Sequence, residues 1–249
     1  MEGAVLVIGG GIAGIQTSLD LTELGFKVFL VENTPSIGGR MAQLDKTFPT
    51  LDCSLCILAP KMVEVYRNPN IELMTYHEVQ KVTGKPGNFV VTVLKKPRYI
   101  DDTKCKGCGD CAAKCPKIEV PNIFDMNLSK RKSIFIPFPQ AVPPIYLIDA
   151  EMCLFFNKGV CGVCQKICTA EAIDFEQKPQ EIGINVGAIV VATGFDMARD
   201  NLSSRWGMNY DNVVNALEYE RILCASGPYG GHVLRPNDEE EPEKIAFIQ

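Results

Sequence analysis

The chain has 249 residues, of which 46% are hydrophobic and 22% charged, and its formal net charge is −5. That length allows one large domain or two of ordinary size around a sizeable core, and the acidic balance argues against nucleic acid or an anionic membrane as the main partner. The anomaly is eleven cysteines, eight of them in two tight groups. Disulfide frameworks of that density belong to short secreted chains. Residues 1–8 carry no basic segment ahead of their apolar run, which argues against a secretory signal. No apolar stretch approaches the roughly 18 residues that a membrane span needs. The cysteines therefore read as metal ligands in an unexported, cytoplasmic protein.

In chain order, residues 4–8 (AVLVI) form a short apolar, β-branched run, as expected of a buried parallel strand. A glycine cluster follows, with Gly9, Gly11 and Gly14 in GxGxxG spacing. Apolar residues then recur at helical intervals through Ile12, Ile15, Leu19 and Leu24, and Gly25 ends the pattern. Residues 27–31 read as a second strand closed by Glu32. Such glycines permit a tight turn and let a pyrophosphate approach the helix N-terminus, where free N–H groups and the dipole hold negative charge. Glu32 is spaced to accept hydrogen bonds from a ribose hydroxyl. Strand, glycines, helix, strand and acid in this order specify a dinucleotide-binding unit.

Two further signals choose the dinucleotide. Ser36-Ile-Gly38-Gly39-Arg40 resembles the second glycine pair of FAD enzymes in the glutathione reductase superfamily, and Gly187-Ala-Ile-Val-Val-Ala-Thr193-Gly194 resembles their strand-then-ATG signature. The resemblance implies FAD as the cofactor, held by Gly9, Gly11, Gly14, Glu32, Gly38, Gly39, Arg40, Thr193 and Gly194.

Cys105-x2-Cys108-x2-Cys111-x3-Cys115-Pro116 resembles the bacterial ferredoxin run, in which the fourth cysteine crosses to a second cluster. The second group, Cys153-x7-Cys161-x2-Cys164-x3-Cys168, stretches the usual first gap from two residues to seven. The implied ligand sets are Cys105, Cys108, Cys111 and Cys168 for one [4Fe-4S] cluster, and Cys153, Cys161, Cys164 and Cys115 for the other. Zinc is the competing occupant, but three successive cysteines at x2 spacing without a nearby histidine suit it poorly. Of the two histidines, His77 and His232, neither lies near either group, and both read as ordinary surface or core residues.

Residues 78–83 and 88–95 read as a hairpin and residues 181–186 as a third short strand. The FAD superfamily has a three-stranded meander here, so residues 97–178 are expected to be an inserted ferredoxin-like domain. The overall expectation is an α/β fold: a Rossmann-like FAD-binding domain over 1–96 and 179–235, an inserted α+β two-cluster ferredoxin domain over 97–178, and the start of a second, NAD-domain-like half over 236–249. Residues 133–148 (SIFIPFPQAVPPIYLI) are apolar with four prolines, neither a plain helix nor a central strand. They are expected to pack over the clusters rather than to serve as a docking surface.

Cys53 and Cys56 stand apart as a CxxC pair downstream of the flavin glycines. Three readings stay open: a redox dithiol, ligands of a further [4Fe-4S] cluster, and a half-buried structural pair. Cys224 reads as a buried free thiol.

Taken together, Gly9-Gly-Gly-Ile-Ala-Gly14, Pro35-Ser-Ile-Gly-Gly-Arg-Met-Ala-Gln-Leu-Asp45, Asp52-Cys-Ser-Leu-Cys56, the ferredoxin run, Ile136-Pro-Phe-Pro-Gln-Ala-Val142 and Ala192-Thr-Gly-Phe195 resemble the A subunits of heterodisulfide reductases along essentially the whole chain. The resemblance implies an oxidoreductase subunit that works within a complex and passes electrons between ferredoxin and a disulfide-reducing partner, with flavin-based bifurcation of electron pairs. Implied partners are B- and C-type subunits, the adaptor subunit of a hydrogenase or formate dehydrogenase, and ferredoxin. Residues 244–249 look like the first strand of the family's second half. A recoding boundary, or a split gene completed by another chain, is expected there. The competing functions are a flavin disulfide or pyridine-nucleotide oxidoreductase using Cys53 and Cys56, a quinone-linked electron-wiring subunit, and a structural subunit with an incomplete flavin site.

Overall fold

The computed structural model describes residues 3–197 and 206–248. The chain opens with β1 (Ala4–Ile8), α1 (Ile12–Glu23) and β2 (Lys27–Glu32), then α2 (Ser54–Arg67) and β3 (Ile71–Thr75). An antiparallel hairpin of β4 (His77–Lys85) and β5 (Asn88–Lys95) precedes a long irregular segment with three short helices, α3 (Asp110–Ala113), α4 (Leu154–Lys158) and α5 (Val163–Ile167). The regular structure resumes with β6 (Gln180–Val186) and β7 (Ala188–Val191), and α6 (Ala216–Leu223) lies near the end.

β1 is central because it is apolar on both faces. It pairs in parallel with β2 and with β7, and β2 pairs with β3, giving the order β7-β1-β2-β3. Alternation sorts the side chains onto two faces. Val7, Val28 and Leu30 pack with Ile15 and Leu19 of α1 and Leu58, Met62 and Val65 of α2. Leu6 and Val31 point the other way, onto Val91, Val93, Ile184 and Val186 of the second sheet. That sheet is antiparallel, in the order β6-β5-β4, with a register shift between Val79 and Lys81.

The chain leaves β5 at Lys95 and returns at Gln180, and these two residues are direct partners in the sheet. Residues 96–179 thus depart from and rejoin one point of the meander. They enclose an apolar core of their own: Ile100, Ile134, Ile145, Ile148, Ala172, Ile173 and Phe175 with Cys111 and Cys153.

The Pro-rich stretch differs from expectation. Ile134, Ile145 and Ile148 face the cysteine-bearing core, but Phe138, Ala141 and Val142 are buried in the core of α1, α2 and the parallel sheet. Ile37 donates its N–H to the Val142 carbonyl at 3.0 Å, and the Val142 N–H donates to Ser36 Oγ at 2.8 Å. The segment is a strap joining the two cores, because its apolar residues have two sheet and helix faces to cover and its prolines keep it from joining either ladder.

α6 is capped by Asn215, whose side chain accepts from the Glu218 N–H while the Glu218 carboxylate accepts from the Asn215 N–H. Residues 244–248 form no strand; Phe247 instead meets Tyr219 edge-on. An extended segment becomes a strand only when it finds a pairing partner. Among the described residues no helix is long and apolar enough to cross a membrane.

Candidate functional site

The first site lies at the carboxyl ends of β1 and β7, where open α/β sheets bind ligands. Gly9 turns the chain out of β1 with φ +107°, and a side chain there would drive a Cβ to 2.3 Å from the Ala192 carbonyl oxygen. Gly14 lets α1 close on this turn, since a Cβ would meet the Gly9 oxygen at 1.8 Å. Gly38, with φ +126°, donates its N–H to the Gly10 carbonyl at 2.7 Å. A Cβ on Gly39 would lie 2.8 Å from Gly11 Cα. The two glycine motifs, well separated in sequence, are therefore one surface held backbone to backbone. Gly11, in contrast, faces open space, and α1 begins there with no side-chain cap on its first N–H groups and no acid in its first turn. That uncapped N-terminus fits the pyrophosphate of a dinucleotide.

Glu32 is buried at the end of β2, with Oε2 accepting the Gly10 N–H at 2.6 Å and Oε1 accepting the Thr34 N–H at 2.8 Å. Its first role is to hold the glycine turn against β2, and the remaining lone pairs are what a ribose could use. Arg40 reaches across the cleft mouth, donating to Gln43 Oε1 at 3.1 Å and pairing with Asp196 at 3.2 Å. This brings the second glycine motif beside Thr193 and Gly194, which are exposed, Gly194 with φ +72°.

α2 hangs from the same surface. Ser54 donates its hydroxyl to the Met41 carbonyl at 2.7 Å and its N–H to that of Asp45 at 3.1 Å. Cys53 caps the helix, its Sγ accepting the Cys56 N–H at 3.3 Å, and the two cysteines are joined as a disulfide with Cα atoms 5.2 Å apart. Cys53 is half-buried and Cys56 exposed, so the pair faces solvent. Cys224 is free and half-buried.

The second site is the cysteine-bearing core. Cys115, Cys153, Cys161 and Cys164, drawn from both cysteine runs, line one small pocket together with Ile134, Ile148, Phe155 and Ser133. The stretched gap after Cys153 is taken up by α4, which ends at Gly159 with φ +64°. The chain then turns back through Cys161, itself at φ +105°, a costly conformation for a residue with a Cβ. The insertion therefore returns Cys161 to the wall that Cys153 occupies. Burial pushes the Cys164 thiol up to about 11, with Cys153, Cys161 and Cys115 adding to the shift.

The other set is less gathered. Burial pushes the Cys111 thiol up to about 12, with Cys105, Cys108 and Cys164 adding to it. Burial also raises the Tyr146 phenol, with Cys111, Cys108 and Cys105 adding to the shift. Tyr146 approaches closely enough that a Cβ on Gly109 would sit 2.9 Å from its hydroxyl. Cys168 shares this apolar core, and its Sγ accepts the Ala172 N–H at 3.4 Å.

Among the described residues no group of three or more His, Cys, Asp or Glu side chains is already gathered around a metal-ion position. A four-iron cluster gives each thiolate its own iron, and four cysteines spread around one apolar cavity fit that donor geometry.

Sequence reasoning misses three features. Ser133 has its hydroxyl 3.4 Å from Cys115 Sγ, and nothing in its local pattern announces this. Tyr146 reads in sequence only as part of the apolar strap. Arg221 is 1% exposed and contacts Asp125 Oδ1 through Nε at 3.0 Å and Nη2 at 2.9 Å. It also donates to the Gln43 carbonyl at 3.2 Å; an isolated arginine in a helical octet carries no such signal.

A family model described as an NAD(P)-binding Rossmann-like domain matches residues 7–66, the interval from β1 into α2. Over its whole length the chain is 54% identical to the iron-sulfur A subunit of the CoB–CoM heterodisulfide reductase of Methanocaldococcus jannaschii. It is 52% identical, also over its whole length, to the A subunit of the H(2):CoB-CoM heterodisulfide,ferredoxin reductase of Methanothermobacter thermautotrophicus. The chain spans about 37% of the length of these curated relatives. The L-proline dehydrogenase of P. horikoshii aligns with a TM-score of 0.33 at 27% identity, over 36% of this chain and 18% of that one.

Proposed function

We propose that this chain, which belongs to the A-subunit family of heterodisulfide reductases, is an electron-transfer oxidoreductase subunit with FAD in the glycine-lined cleft and two [4Fe-4S] clusters in the cysteine-bearing core. The observation that carries this reading is the cavity lined by cysteines of both runs, in a segment strapped to the flavin-side core by Phe138, Ala141 and Val142. FAD, when bound, supplies the exchange between a two-electron couple and one-electron carriers. The chain's own contribution is placement. The uncapped start of α1 and the contact of Gly39 with Gly11 orient a dinucleotide, and Glu32 holds the turn in register with β2. Around the cysteines, Ile134, Ile148 and Phe155 exclude water, which limits side reactions and favours transfer over short, fixed distances. The ligand sets are Cys115, Cys153, Cys161 and Cys164 for one cluster, and Cys105, Cys108, Cys111 and Cys168 for the other. Residues 97–178 act as a ferredoxin-like module in this reading. The partners are other components of such a complex: ferredoxin as a one-electron carrier and a disulfide-reducing protein as the second acceptor. A bound FAD would supply the chemistry that divides electron pairs between them.

The test is cofactor content of protein purified without oxygen. One FAD with about eight irons and eight labile sulfides is expected. About twelve irons would recruit Cys53 and Cys56 into ligation, an absent flavin would reduce the chain to a wiring role, and zinc in place of iron would overturn the reading.

The disulfide favours a second reading of Cys53 and Cys56, as a redox pair served by the flavin. It is exposed, and its helix is anchored to the flavin turn through Ser54. Turnover of the isolated chain with NAD(P)H and a small disulfide, lost in Cys53→Ser, supports this; no turnover removes it.

A further inference from the structure

Ser133 is 2% exposed, and its backbone is held on both sides. Its N–H donates to the Lys117 carbonyl at 3.1 Å, and its own carbonyl accepts the Asp149 N–H at 2.7 Å. The hydroxyl is thereby aimed into the cavity lined by Cys115, Cys153, Cys161 and Cys164, 3.4 Å from Cys115 Sγ. The rest of the wall is mostly apolar, with Ile134, Ile148, Leu154 and Phe155 beside Lys117, whose carbonyl oxygen lies 3.8 Å from Cys115 Sγ. We propose that Ser133 sets the reduction potential of the cluster ligated by Cys115, by donating an O–H···S hydrogen bond to that thiolate. The inference rests on the cluster reading above and deepens it.

The direction of the bond follows from the chemistry of the sulfur. As a free thiol, Cys115 could be donor or acceptor toward Ser133. As a thiolate bound to iron it has no proton to give, so the hydroxyl must donate. Reduction adds one electron to the cluster and makes its sulfurs more negative, which strengthens a bond donated to them. The proton stays on Ser133 throughout, and no covalent bond forms or breaks. In a cavity with little competing polarity the effect is larger than in water, and hydrogen bonds to sulfur are among the determinants of cluster potential. The donor therefore favours the reduced state and raises the potential of this cluster relative to one without it. Cys168 of the other set accepts instead from a backbone N–H, that of Ala172 at 3.4 Å, which no side-chain substitution removes.

The experiment is a redox titration followed by electron paramagnetic resonance on the anaerobically purified protein, with iron measured in every sample. S133A is expected to lower one midpoint potential, shifting that one-electron equilibrium about tenfold, or about 59 mV, and to leave the other unmoved. The isosteric pair S133T and S133V separates hydroxyl from volume: the threonine variant should hold the wild-type potential and the valine variant should fall with S133A. An exchangeable proton coupled to one reduced cluster should vanish in S133A and S133V. Equal potentials in S133T and S133V at full iron content overturn the proposal, even if S133A fails to assemble. Wild-type protein without iron fails the cluster reading itself, a separately recognisable result.

Discussion

Gly14 makes the clearest single-residue case. Its α-carbon faces the Gly9 oxygen so closely that a methyl group would lie 1.8 Å from it, and neither backbone atom belongs to a side chain that can swing aside. Gly14→Ala should cost about 3 kcal/mol, at the upper end for overpacking, and should lower FAD occupancy with it; denaturant midpoint and flavin absorbance check both. His77 gives a pH dependence. Burial lowers its pKa below the ordinary value, with Lys95 and Arg98 adding to that, while the bond of Nδ1 to the Thr75 carbonyl at 2.8 Å opposes it. The folded state thus favours the neutral ring. Its contribution to stability is complete above the ordinary imidazole pKa of about 6.5 and is lost as pH falls through and below that value. Melting temperature should decline between about pH 7 and pH 5, and His77→Gln should flatten that slope. Cys56 is exposed and Cys224 half-buried, so after mild reduction Cys56 should be alkylated faster than Cys224, as peptide mass spectrometry would read.

At the scale of elements, α6 and the inserted segment meet through one buried ion pair, Arg221 with Asp125. Asp125 is satisfied on both oxygens, Oδ1 by Arg221 and Oδ2 by Asn122 Nδ2 at 2.8 Å and by Ser129. Arg221 also lies over the Phe124 ring at 4.8 Å, and Gln43 Nε2 donates to the Phe124 carbonyl at 2.8 Å. The inserted segment, the loop after the second glycine pair, and α6 are therefore locked together. Arg221→Met alone leaves a buried carboxylate without its cation and should cost about 3–5 kcal/mol, whereas adding Asp125→Leu should recover much of that loss; a double-mutant cycle in denaturant measures it. None of this is legible in sequence, because a long-range charge pair leaves no periodic trace. α2 escapes sequence reading for another reason: Pro60 lies inside it, and a proline in a short apolar run masks a helical pattern. β1, α1, β2 and the hairpin are legible, since each carries its own period or turn signal.

At the scale of the whole molecule, two cores share one strap. The hydrophobic core of the parallel sheet with α1 and α2 has no cysteine among its buried members, and the other core includes Cys111 and Cys153. Metal binding couples to folding where ligands make up part of a core. Chelating the iron from the anaerobic protein should loosen residues 100–175 while β1, β2 and β5 keep their protection, as hydrogen exchange would resolve. Exchange quickening equally across both regions would mean that one core supports the whole chain.

The sequence by itself determined what is local: the strand–glycine–helix–acid order at Gly9 to Glu32, the spacing of the two cysteine runs, and the meander strands whose turn residues and alternation specify them. These rest on backbone geometry and short-range periodicity, which a linear chain displays openly. Only the tertiary structure decided what depends on distant segments meeting. It seated Phe138 and Val142 in the flavin-side core, set Gly39 against Gly11, returned Cys161 across a seven-residue gap to the cavity of Cys153, and put the Ser133 hydroxyl beside Cys115. The physical reason is that burial and hydrogen bonding are satisfied by whichever group arrives, and arrival is settled by packing.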